Sequence, residues 1–385
     1  MSQHRKLRMG MIGGSTNAFI GAVHRMAVAL DGQIELVCGA FSSDPEKSKE
    51  TGNALFLQKN RIYKNYEEMI LTEKTLSENE RMDFVSIVTP NFLHFDPCKL
   101  ALENGFHVMC EKPIALNLVE AKALESIVFK SNLVFGLTHN YTSYPMVKEA
   151  KAIVKEGKLG SIIKVIVEYQ QGWLSDKIED NGQKQALWRT DSIKAGISCC
   201  VADIGTHAEN LAEFVTGLKI KELCADITSF VEGRELEDDA NMLVRFDNGA
   251  KGTIIVSQVT CGEENELKLR IFGKKGNLEW LQSDPNNLIL KLVDVPKQIL
   301  RPGNNFLRDE TKFNTRLPAG HPEGYIESLA NLYKEFGKEI WKLKSGEIIN
   351  YQKFNFPSIL DGIRGMRFIE AVIYSGKNNS CWVTI

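Results

Sequence analysis

The sequence has no long apolar run, no excess of charge of either sign and no low-complexity segment. Without a run of about 18 apolar residues, a transmembrane helix is not expected. Lys plus Arg number 47 and Asp plus Glu 49, and this balance gives no general electrostatic footprint for nucleic acid. The basic start of the chain is not followed by the apolar segment of a signal peptide, so we expect a cytoplasmic protein with no membrane partner.

Cysteine spacings that would hold zinc or staple a small domain are also missing. The eight cysteines are scattered, with no C-x-x-C motif and one adjacent pair, Cys199–Cys200. This pattern predicts neither a disulfide scaffold nor a metal site, and it fits a reducing compartment. At 385 residues the chain exceeds what one hydrophobic core usually serves, so we expect two domains.

The first third of the chain alternates β-branched runs with helical stretches, which is typical of a parallel sheet covered by helices. The predicted strands are Leu7–Ile12, Ile34–Phe41, Asp83–Val88, His107–Cys110 and Leu133–Leu137, and the predicted helices are Gly21–Leu30, Pro45–Gly52, His94–Glu103 and Leu118–Ser131. This βαβ rhythm predicts a Rossmann-type, doubly wound α/β domain.

After about Tyr144 the pattern changes to a helix and then consecutive strands joined by hairpin turns such as Asp247-Asn248-Gly249. The predicted elements are a helix at Pro145–Glu156, strands at Ile162–Gln170, Glu222–Val231, Ala240–Phe246, Ala250–Thr260, Glu266–Phe272 and Asn277–Gln282, a polar, turn-rich stretch at 283–320, and helices at Tyr325–Lys342 and Ile359–Ser375. We predict a dinucleotide-binding domain at 1–144. Residues 145–385 are predicted as an α+β domain for substrate binding and oligomerisation, with a large open, mainly antiparallel sheet and a C-terminal helix able to pack back on the first domain.

A glycine-rich turn, IGGSTNAFIG at 12–21, joins the first predicted strand to the first helix. Such a turn brings backbone N–H groups to a pyrophosphate at a helix N-terminus. The match to G-x-G-x-x-G is incomplete, because Ser15 and Ala18 stand at the second and third glycine positions, and a plain strand–helix turn is the alternative. After the second strand, Asp44 lies near the region expected to meet the ribose, with an N-cap of the following helix as its alternative role.

Two further motifs follow core strands, where ligands of a doubly wound sheet bind. The segment TPNFLH at 89–94 follows the third strand, and its alternative is a proline turn capped by Asn91 with His94 partly buried. Glu111-Lys112-Pro113 follows the next strand, where an extended lysine is able to place its ammonium beside a reacting hydroxyl. A surface Lys–Glu pair is the alternative for Lys112.

The segment DIGTH at 203–207 opens a predicted helix that continues over Ala208–Val215. The i,i+4 spacing puts Asp203 and His207 on one helical face, where an imidazole acts as general base and a carboxylate orients it. The alternatives are Asp203 as a simple N-cap and the two residues as metal ligands, although no third His or Cys lies nearby in the sequence.

In order and spacing these motifs resemble the glucose–fructose oxidoreductase/inositol dehydrogenase/rhizopine catabolism (Gfo/Idh/MocA) family, over essentially the whole chain. The strongest matches are Thr89-Pro90-Asn91 with His94, Glu111-Lys112-Pro113, Asn140-Tyr141, and Asp203 with His207. The resemblance implies NAD as cofactor. NADP is left open, because the acidic position after the second strand falls on Ser42. A homodimer or homotetramer is also implied.

The resemblance further implies a role for each matching residue. Lys112 would touch the reacting hydroxyl and the nicotinamide ribose, His207 would be the acid/base residue, and Asp203 would orient the substrate. The implied cofactor-binding residues are Gly13, Gly14, Ser15, Asn17, Phe19, Ile20, Ser42, Ser43, Thr89, Pro90, Asn91, His94, Glu111, Lys112 and Asn140. The first turn is longer than the usual family turn and lacks its second glycine, so the phosphate contacts are not fixed residue by residue.

Three segments resemble a branch of the family that includes NAD-dependent sulfoquinovosidases: FIGAVHR at 19–25, WRTD at 188–191 and AGHPEGY at 319–325. We therefore expect a sugar-active enzyme that abstracts hydride from a pyranoside ring carbon and hydrolyses a sulfoquinovoside without net redox change. An ordinary NAD(P)-dependent sugar or inositol dehydrogenase is the alternative, and an inactive nucleotide-binding protein is a second one.

The substrate is expected to be a small sugar or glycoside, with a sulfonated sugar as one candidate. The expected substrate-binding residues are Tyr141, Tyr144, Trp173, Lys184, Trp188, Arg189 and His321. Arg189 is suited to grip a sulfonate through two hydrogen bonds, and pairing with Asp191 or with a backbone carbonyl is its alternative.

Overall fold

The aliphatic runs of the first third form a parallel five-stranded sheet in the computed structural model, which describes residues 5–16 and 18–385. The strands are β1 (Leu7–Gly13), β2 (Ile34–Ala40), β3 (Phe84–Val88), β4 (His107–Cys110) and β5 (Phe135–Leu137). Their spatial order is β2-β1-β3-β4-β5, so the direction of winding reverses between β1 and β3. The carboxyl ends of β1 and β3 therefore flank the crevice where such sheets bind ligands.

Helices connect these strands, and their local sequence sets where they begin. They are α1 (Phe19–Leu30), α2 (Pro45–Ala54), α3 (Tyr66–Thr75), α4 (Phe95–Glu103) and α5 (Leu118–Ser131). The Asp44 carboxylate accepts hydrogen bonds from the N–H groups of Glu46 and Lys47, which confirms the N-cap role considered for this residue. The sequence pattern misses α3, because Met69 and Ile70 are its only buried hydrophobic residues and give no clear period.

A second, nine-stranded sheet occupies much of the rest of the chain. Its strands are β6 (Ile162–Gln170), β7 (Ile220–Thr228), β8 (Asp239–Phe246), β9 (Lys251–Ser257), β10 (Glu266–Gly273), β11 (Gly276–Leu281), β12 (Leu288–Leu292), β13 (Gln298–Leu300) and β14 (Val383–Thr384). In the order β13-β12-β11-β10-β6-β9-β8-β7-β14, only β6 and β9 pair in parallel. The stretch 283–320, expected to consist of turns, contributes β12 and β13, because Leu288 and Leu290 bury their side chains against the extended sheet. The predicted fold class is confirmed.

The remaining helices are α6 (Pro145–Lys155), α7 (Lys184–Arg189), α8 (Ser192–Ala195), α9 (Thr206–Thr216), α10 (Asp309–Phe313), α11 (Tyr325–Lys344) and α12 (Ile359–Lys377). Helices α6 and α9 pack on the nine-stranded sheet. Alternation in β10 shows the sidedness of this sheet: Leu267 and Leu269 are buried, while Lys268 and Arg270 are half-buried. Among the described residues, no helix has the length and apolarity needed to cross a bilayer.

The chain divides into two units. Unit 1 contains residues 1–138 and 329–363, and unit 2 contains residues 139–328 and 364–385. The division after Thr138 precedes the boundary predicted after Tyr144. Residues 329–363, expected in the second domain, instead complete the first unit, because Tyr333 and Phe336 of α11 pack on Phe84 of β3 with ring centroids 6.1 and 5.2 Å away.

Candidate active site

The turn after β1 contains two glycines whose backbone conformation favours that residue. Gly13 and Gly14 have φ values of +81° and +74°. A Cβ on Gly13 would lie 3.0 Å from Cγ2 of Thr89, so the turn runs against the end of β3. A Cβ on Gly21 would lie 2.3 Å from Cα of Gly14, so α1 packs directly on the turn. Gly21, which the motif match did not assign, therefore provides the close helix packing expected of the third glycine.

The N-terminus of α1 is open to an anion. Its N-cap is Ala18, and within the described residues its first N–H groups have no capping side chain and its first turn has no acidic residue. These N–H groups and the positive end of the helix dipole favour a phosphate. The guanidinium of Arg25 donates to the Gly14 carbonyl at 2.6 Å and holds the turn. The turn thus fits the pyrophosphate of a dinucleotide.

The other residues predicted for this turn differ in placement. Phe19 is exposed at the start of α1, Ile20 is half-buried, and the Ser15 carbonyl accepts a hydrogen bond from the Ala18 N–H at 2.8 Å. Asn17 lies outside the described residues.

At the end of β2, a serine occupies the position for which the resemblance implies an acidic residue. Ser42 is half-buried, and its Oγ accepts a hydrogen bond from the N–H of Asp44 at 3.1 Å, while Ser43 is exposed. Because the Asp44 carboxylate caps α2, it is engaged with the backbone.

His94 connects the segments that follow β3 and β4. Its Nε2 lies 2.8 Å from the Thr89 carbonyl and its Nδ1 lies 2.8 Å from the Pro113 carbonyl. The ring is fully buried, and this burial lowers the pKa of His94. The alternative of a partly buried histidine is therefore wrong. The cap proposed for Asn91 is wrong as well, because Pro90 is the N-cap of this turn and the Asn91 amide oxygen accepts from the N–H of the adjacent Phe92 at 3.1 Å.

Glu111 ends a buried chain of hydrogen bonds, Ser86–Tyr333–His24–Glu111. The Tyr333 hydroxyl lies 2.7 Å from Ser86 Oγ and 2.6 Å from Nδ1 of His24, and Nε2 of His24 lies 2.8 Å from Oε1 of Glu111. Burial alone would raise the pKa of Glu111, but the hydrogen bond and charge of His24, with the charge of Lys112, lower it to about 2. Glu111 is therefore turned inward, unlike the surface Lys–Glu pair of the alternative.

His207 lies on α9 among the aromatic rings of unit 2. Its ring is perpendicular to those of Tyr141 and His139, with centroids 4.9 and 5.0 Å away. Nδ1 of His207 lies 3.2 Å from Nδ1 of His139. The hydroxyls of Tyr141 and Tyr169 are 2.6 Å apart, and burial raises the pKa of both phenols, so both are neutral hydrogen-bonding groups at neutral pH.

Asp203 lies in a π-helical turn, Val201–Gly205, that precedes α9. Its Oδ2 accepts a hydrogen bond from Nε2 of Gln258 at 2.8 Å and lies 3.1 Å from Nε of Arg189. The regular helix predicted to open at Asp203 is wrong, because the wider π turn changes the rotation between Asp203 and His207. The N-cap alternative is also wrong, because the carboxylate engages side chains.

From Asp203, a network of side-chain amides leads across the ends of two strands. Nε2 of Gln258 also lies 3.3 Å from Oε1 of Gln171, and Nε2 of Gln171 donates to Oδ1 of Asn265 at 2.7 Å. The Tyr169 hydroxyl donates to the same Asn265 oxygen at 2.8 Å. The network therefore links the Asp203 carboxylate to the phenols beside His207.

Arg189 is held by stacking and by short contacts on its own helix. Its guanidinium carbon lies 4.2 Å from the ring centroid of Trp188 and 5.8 Å from that of Trp173. Its Nη1 donates to Oε1 of Gln185 at 2.6 Å and to the Gln185 carbonyl at 3.3 Å. The alternative in which Arg189 pairs with Asp191 is wrong, because the Asp191 carboxylate caps α8. The alternative contact with a backbone carbonyl is observed, and its acceptor is the Gln185 carbonyl.

The other predicted substrate residues are dispersed. Tyr144 is fully buried with its ring centroid 5.3 Å from that of Trp280, so it is a core residue and not an accessible contact for substrate. Lys184 and His321 are exposed. Asn140, predicted to bind cofactor, is buried, and within the described residues its Nδ2 has no hydrogen-bond partner, which leaves a donor for a ligand.

Several polar residues of these networks were not predicted from the sequence: His24, His139, Tyr169, Gln171, Gln258 and Asn265. Two of these residues had a signal in the sequence that could have identified them: His139 directly precedes the Asn140-Tyr141 match, and His24 lies in the segment 19–25. Gln171 and Gln258 meet because β6 and β9 are parallel neighbours that end at the same edge, which the hairpin pattern does not indicate.

The metal alternative for Asp203 and His207 gains no support. Over residues 5–16 and 18–385, no group of three or more His, Cys, Asp and Glu side chains is arranged to hold a metal ion.

Two family models match the chain. One, described as an oxidoreductase family with an NAD-binding Rossmann fold, matches residues 7–139. The other, the GFO/IDH/MocA C-terminal domain, matches residues 147–279.

Several known proteins are similar to the chain over most of its length. It is 34% identical over 387 residues to the uncharacterized oxidoreductase YfiI of Bacillus subtilis, covering 98% of this chain and 97% of that protein. It is 26% identical over 303 residues to levoglucosan dehydrogenase of Pseudarthrobacter phenanthrenivorans, covering 71% and 73% of the two chains. An inositol dehydrogenase homolog of Azotobacter vinelandii, solved with NAD⁺, has a TM-score of 0.94 and 34% identity, covering 99% of this chain and 98% of its own. Its structure with NADH and myo-inositol has a TM-score of 0.91 and 33% identity, over the same shares.

Proposed function

Because this chain belongs to the Gfo/Idh/MocA family of NAD-dependent oxidoreductases, we propose that it is a dehydrogenase of a neutral cyclitol or sugar. The observation that carries this proposal is the similarity, along 99% of the chain, to an inositol dehydrogenase homolog whose structure holds NADH and myo-inositol. The alternative of an ordinary dehydrogenase is thus better supported than the expected glycoside hydrolysis.

Residues of unit 1 hold the cofactor in this proposal. The turn at Gly13 and Gly14 and the N-terminus of α1 bind the pyrophosphate through backbone N–H groups. Bound NAD⁺ supplies the acceptor for the hydride that leaves the substrate carbon. His94 and Glu111 support the site and do not line it, because their polar atoms are engaged with the protein.

Residues of unit 2 move the proton. His207 accepts the hydroxyl proton on Nε2, because its Nδ1 faces His139. Asp203 accepts a hydrogen bond from a substrate hydroxyl and orients the substrate ring.

Lys112 contributes a positive charge. It follows β4 at the carboxyl edge of the parallel sheet, and it stabilises the negative charge that develops on the substrate oxygen as the hydroxyl proton leaves.

The contact between Arg189 and Asp203 supports a neutral substrate. The carboxylate 3.1 Å from Nε already balances the guanidinium, and a sulfonate brought to Arg189 would also meet the negative charge of Asp203. The sulfonate-gripping role expected of Arg189, and with it the hydrolysis of a sulfoquinovoside, gain no support from these contacts.

The proposed function also includes the choice between NAD and NADP and the oligomeric state of the enzyme. NAD is preferred over NADP, because no arginine occurs between Ser42 and Ser48 to pair with a 2′-phosphate. Titration of both cofactors tests this preference, and tighter binding of NADP would reverse it. The enzyme acts as a homodimer or homotetramer, and a monomer in light scattering would contradict that part.

The central experiment measures NADH formation at saturating NAD⁺ with myo-inositol, scyllo-inositol, levoglucosan and glucose. We expect stoichiometric NADH with at least one of them. In parallel, a chromogenic sulfoquinovoside is incubated with NAD⁺ in catalytic amount. Release of the aglycone there, with no NADH from any polyol, would refute the dehydrogenase and restore glycoside hydrolysis.

Variants of Lys112 and His207 test the roles of these residues. Lys112→Ala and His207→Ala should each lower kcat by about 10²-fold or more, as expected for a positioned cation or general base. Lys122→Ala, which removes an exposed lysine on α5, is the matched control and should keep the wild-type rate. A folded Lys112→Ala enzyme with a near-native rate would remove Lys112 from the mechanism.

A further inference from the structure

We propose that His139 is the positioning residue of His207, holding it in the tautomer whose Nε2 carries the lone pair that accepts a proton. The inference rests on the proposed function, because it concerns the base of that reaction. His139 is not one of the residues for which the family resemblance implied a role.

The two imidazoles meet through the same ring atom. Nδ1 of His139 lies 3.2 Å from Nδ1 of His207, the rings are at 88°, and both side chains are buried. A hydrogen bond at this distance requires one N–H donor and one lone pair. Only one of the two Nδ1 atoms therefore carries a hydrogen, and the pair has two possible arrangements.

Only one arrangement suits a general base. If His139 carries the Nδ1 hydrogen, neutral His207 has its own hydrogen on Nε2 and has no lone pair there. If His207 carries the Nδ1 hydrogen, its Nε2 has the lone pair that takes the hydroxyl proton. The resulting imidazolium still donates from Nδ1 to His139, and this hydrogen bond strengthens because its donor is now charged.

The surroundings hold both rings in place. The Thr142 hydroxyl donates to the His139 carbonyl at 2.8 Å and fixes the backbone of the turn. The ring of Tyr141 lies edge-on to His207, with centroids 4.9 Å apart. In the proposed arrangement His139 accepts as a neutral imidazole, so the pair adds no permanent buried charge that another group would have to balance.

Two substitutions at His139 separate hydrogen bonding from packing. In His139→Asn, the amide oxygen reaches the position of Nδ1 and accepts the bond, whereas His139→Leu fills the space without an acceptor. We expect His139→Leu to lower kcat by about tenfold or more with little change in KM, as for other supports of a functional imidazole. His139→Asn should recover most of this loss.

Thr142→Val tests the support of the turn separately, because it removes the hydrogen bond to the His139 carbonyl and keeps both imidazoles. It should lower kcat less than His139→Leu does. Equal losses in His139→Asn and His139→Leu, or an equal loss in Thr142→Val, would assign the effect to packing and overturn the proposal. Wild-type kinetics in His139→Leu would do the same.

A measurement without turnover separates this inference from the proposed function. Nitrogen-15 NMR of the histidines in the wild-type protein should show a hydrogen on Nδ1 of His207 and none on Nδ1 of His139. The reverse assignment would overturn the inference. If no polyol yields NADH, the proposed function fails, while the NMR result still decides the tautomer.

Discussion

Replacing Glu111 with glutamine should remove about 3 kcal/mol of folding stability at neutral pH. Burial opposes ionisation of Glu111, but the hydrogen bond and charge of His24 prevail and lower its pKa from 4.5 to about 2. At about 1.4 kcal/mol per pKa unit, this difference corresponds to roughly 3 kcal/mol in favour of the folded state.

The pH dependence follows from the sign of that shift. Because the pKa is lower in the folded state, the stabilisation is complete at pH values well above 4.5 and is lost as the pH falls toward about 2. Glutamine keeps the shape of the side chain and can still accept from His24, but it carries no charge. The free energies of unfolding of variant and wild type should therefore converge in acid.

Urea denaturation at a series of pH values from 7 to about 3 measures this difference through the free energy of unfolding. Glu50→Gln, at an exposed position on α2, is the matched control and should follow the wild type throughout. Equal stability of Glu111→Gln and wild type at pH 7, or two parallel pH profiles, would refute the reasoning.

Three further predictions concern the turn, the first sheet and the second unit. Gly21→Ala should weaken NAD⁺ binding in calorimetry and cost about 1–3 kcal/mol of stability, because the added Cβ would lie 2.3 Å from Cα of Gly14. An unchanged affinity for NAD⁺ would contradict the role given to the turn at Gly13 and Gly14. Burial lowers the pKa of His107 to about 3, so the stability of the folded protein should fall as the pH drops from 6.5 toward that value. His107→Asn should flatten this part of the pH profile of Tm. An unchanged slope in the variant would contradict this prediction. Arg189→Ala should lower kcat/KM by the same factor of about ten or more on neutral and anionic sugars, whereas a loss confined to the anionic sugar would revive the sulfonate hypothesis.

The first sheet was predictable because its information is local. Strands such as Phe84–Val88 and His107–Cys110 are buried along their whole length, so they appear as mostly apolar runs between helices. The parallel pairing of β6 with β9 and the return of residues 329–363 to unit 1 were not predictable, because both depend on segments far apart in the chain.

The same distinction applies to the site. Lys112, Asp203 and His207 occur in short motifs that resemble those of a family. The residues that contact these motifs lie far away in the sequence and are not part of any short motif. His24 is 87 residues from Glu111, and His139 is 68 residues from His207. The π turn at Val201–Gly205 also escaped prediction, since its sequence has no feature that separates it from an ordinary first helical turn.

The split composition of unit 1 has a consequence for synthesis. Residues 139–328 must be made before the segment that carries Tyr333, and at about 5–20 residues per second this takes on the order of ten seconds or more. Until then Ser86 and His24 lack the hydroxyl that joins them, and burying such groups without a partner costs about 1–3 kcal/mol each. The parallel sheet of the nascent chain therefore remains incompletely packed while the second unit is translated. An N-terminal fragment ending at Thr138 should not reach the native state on its own.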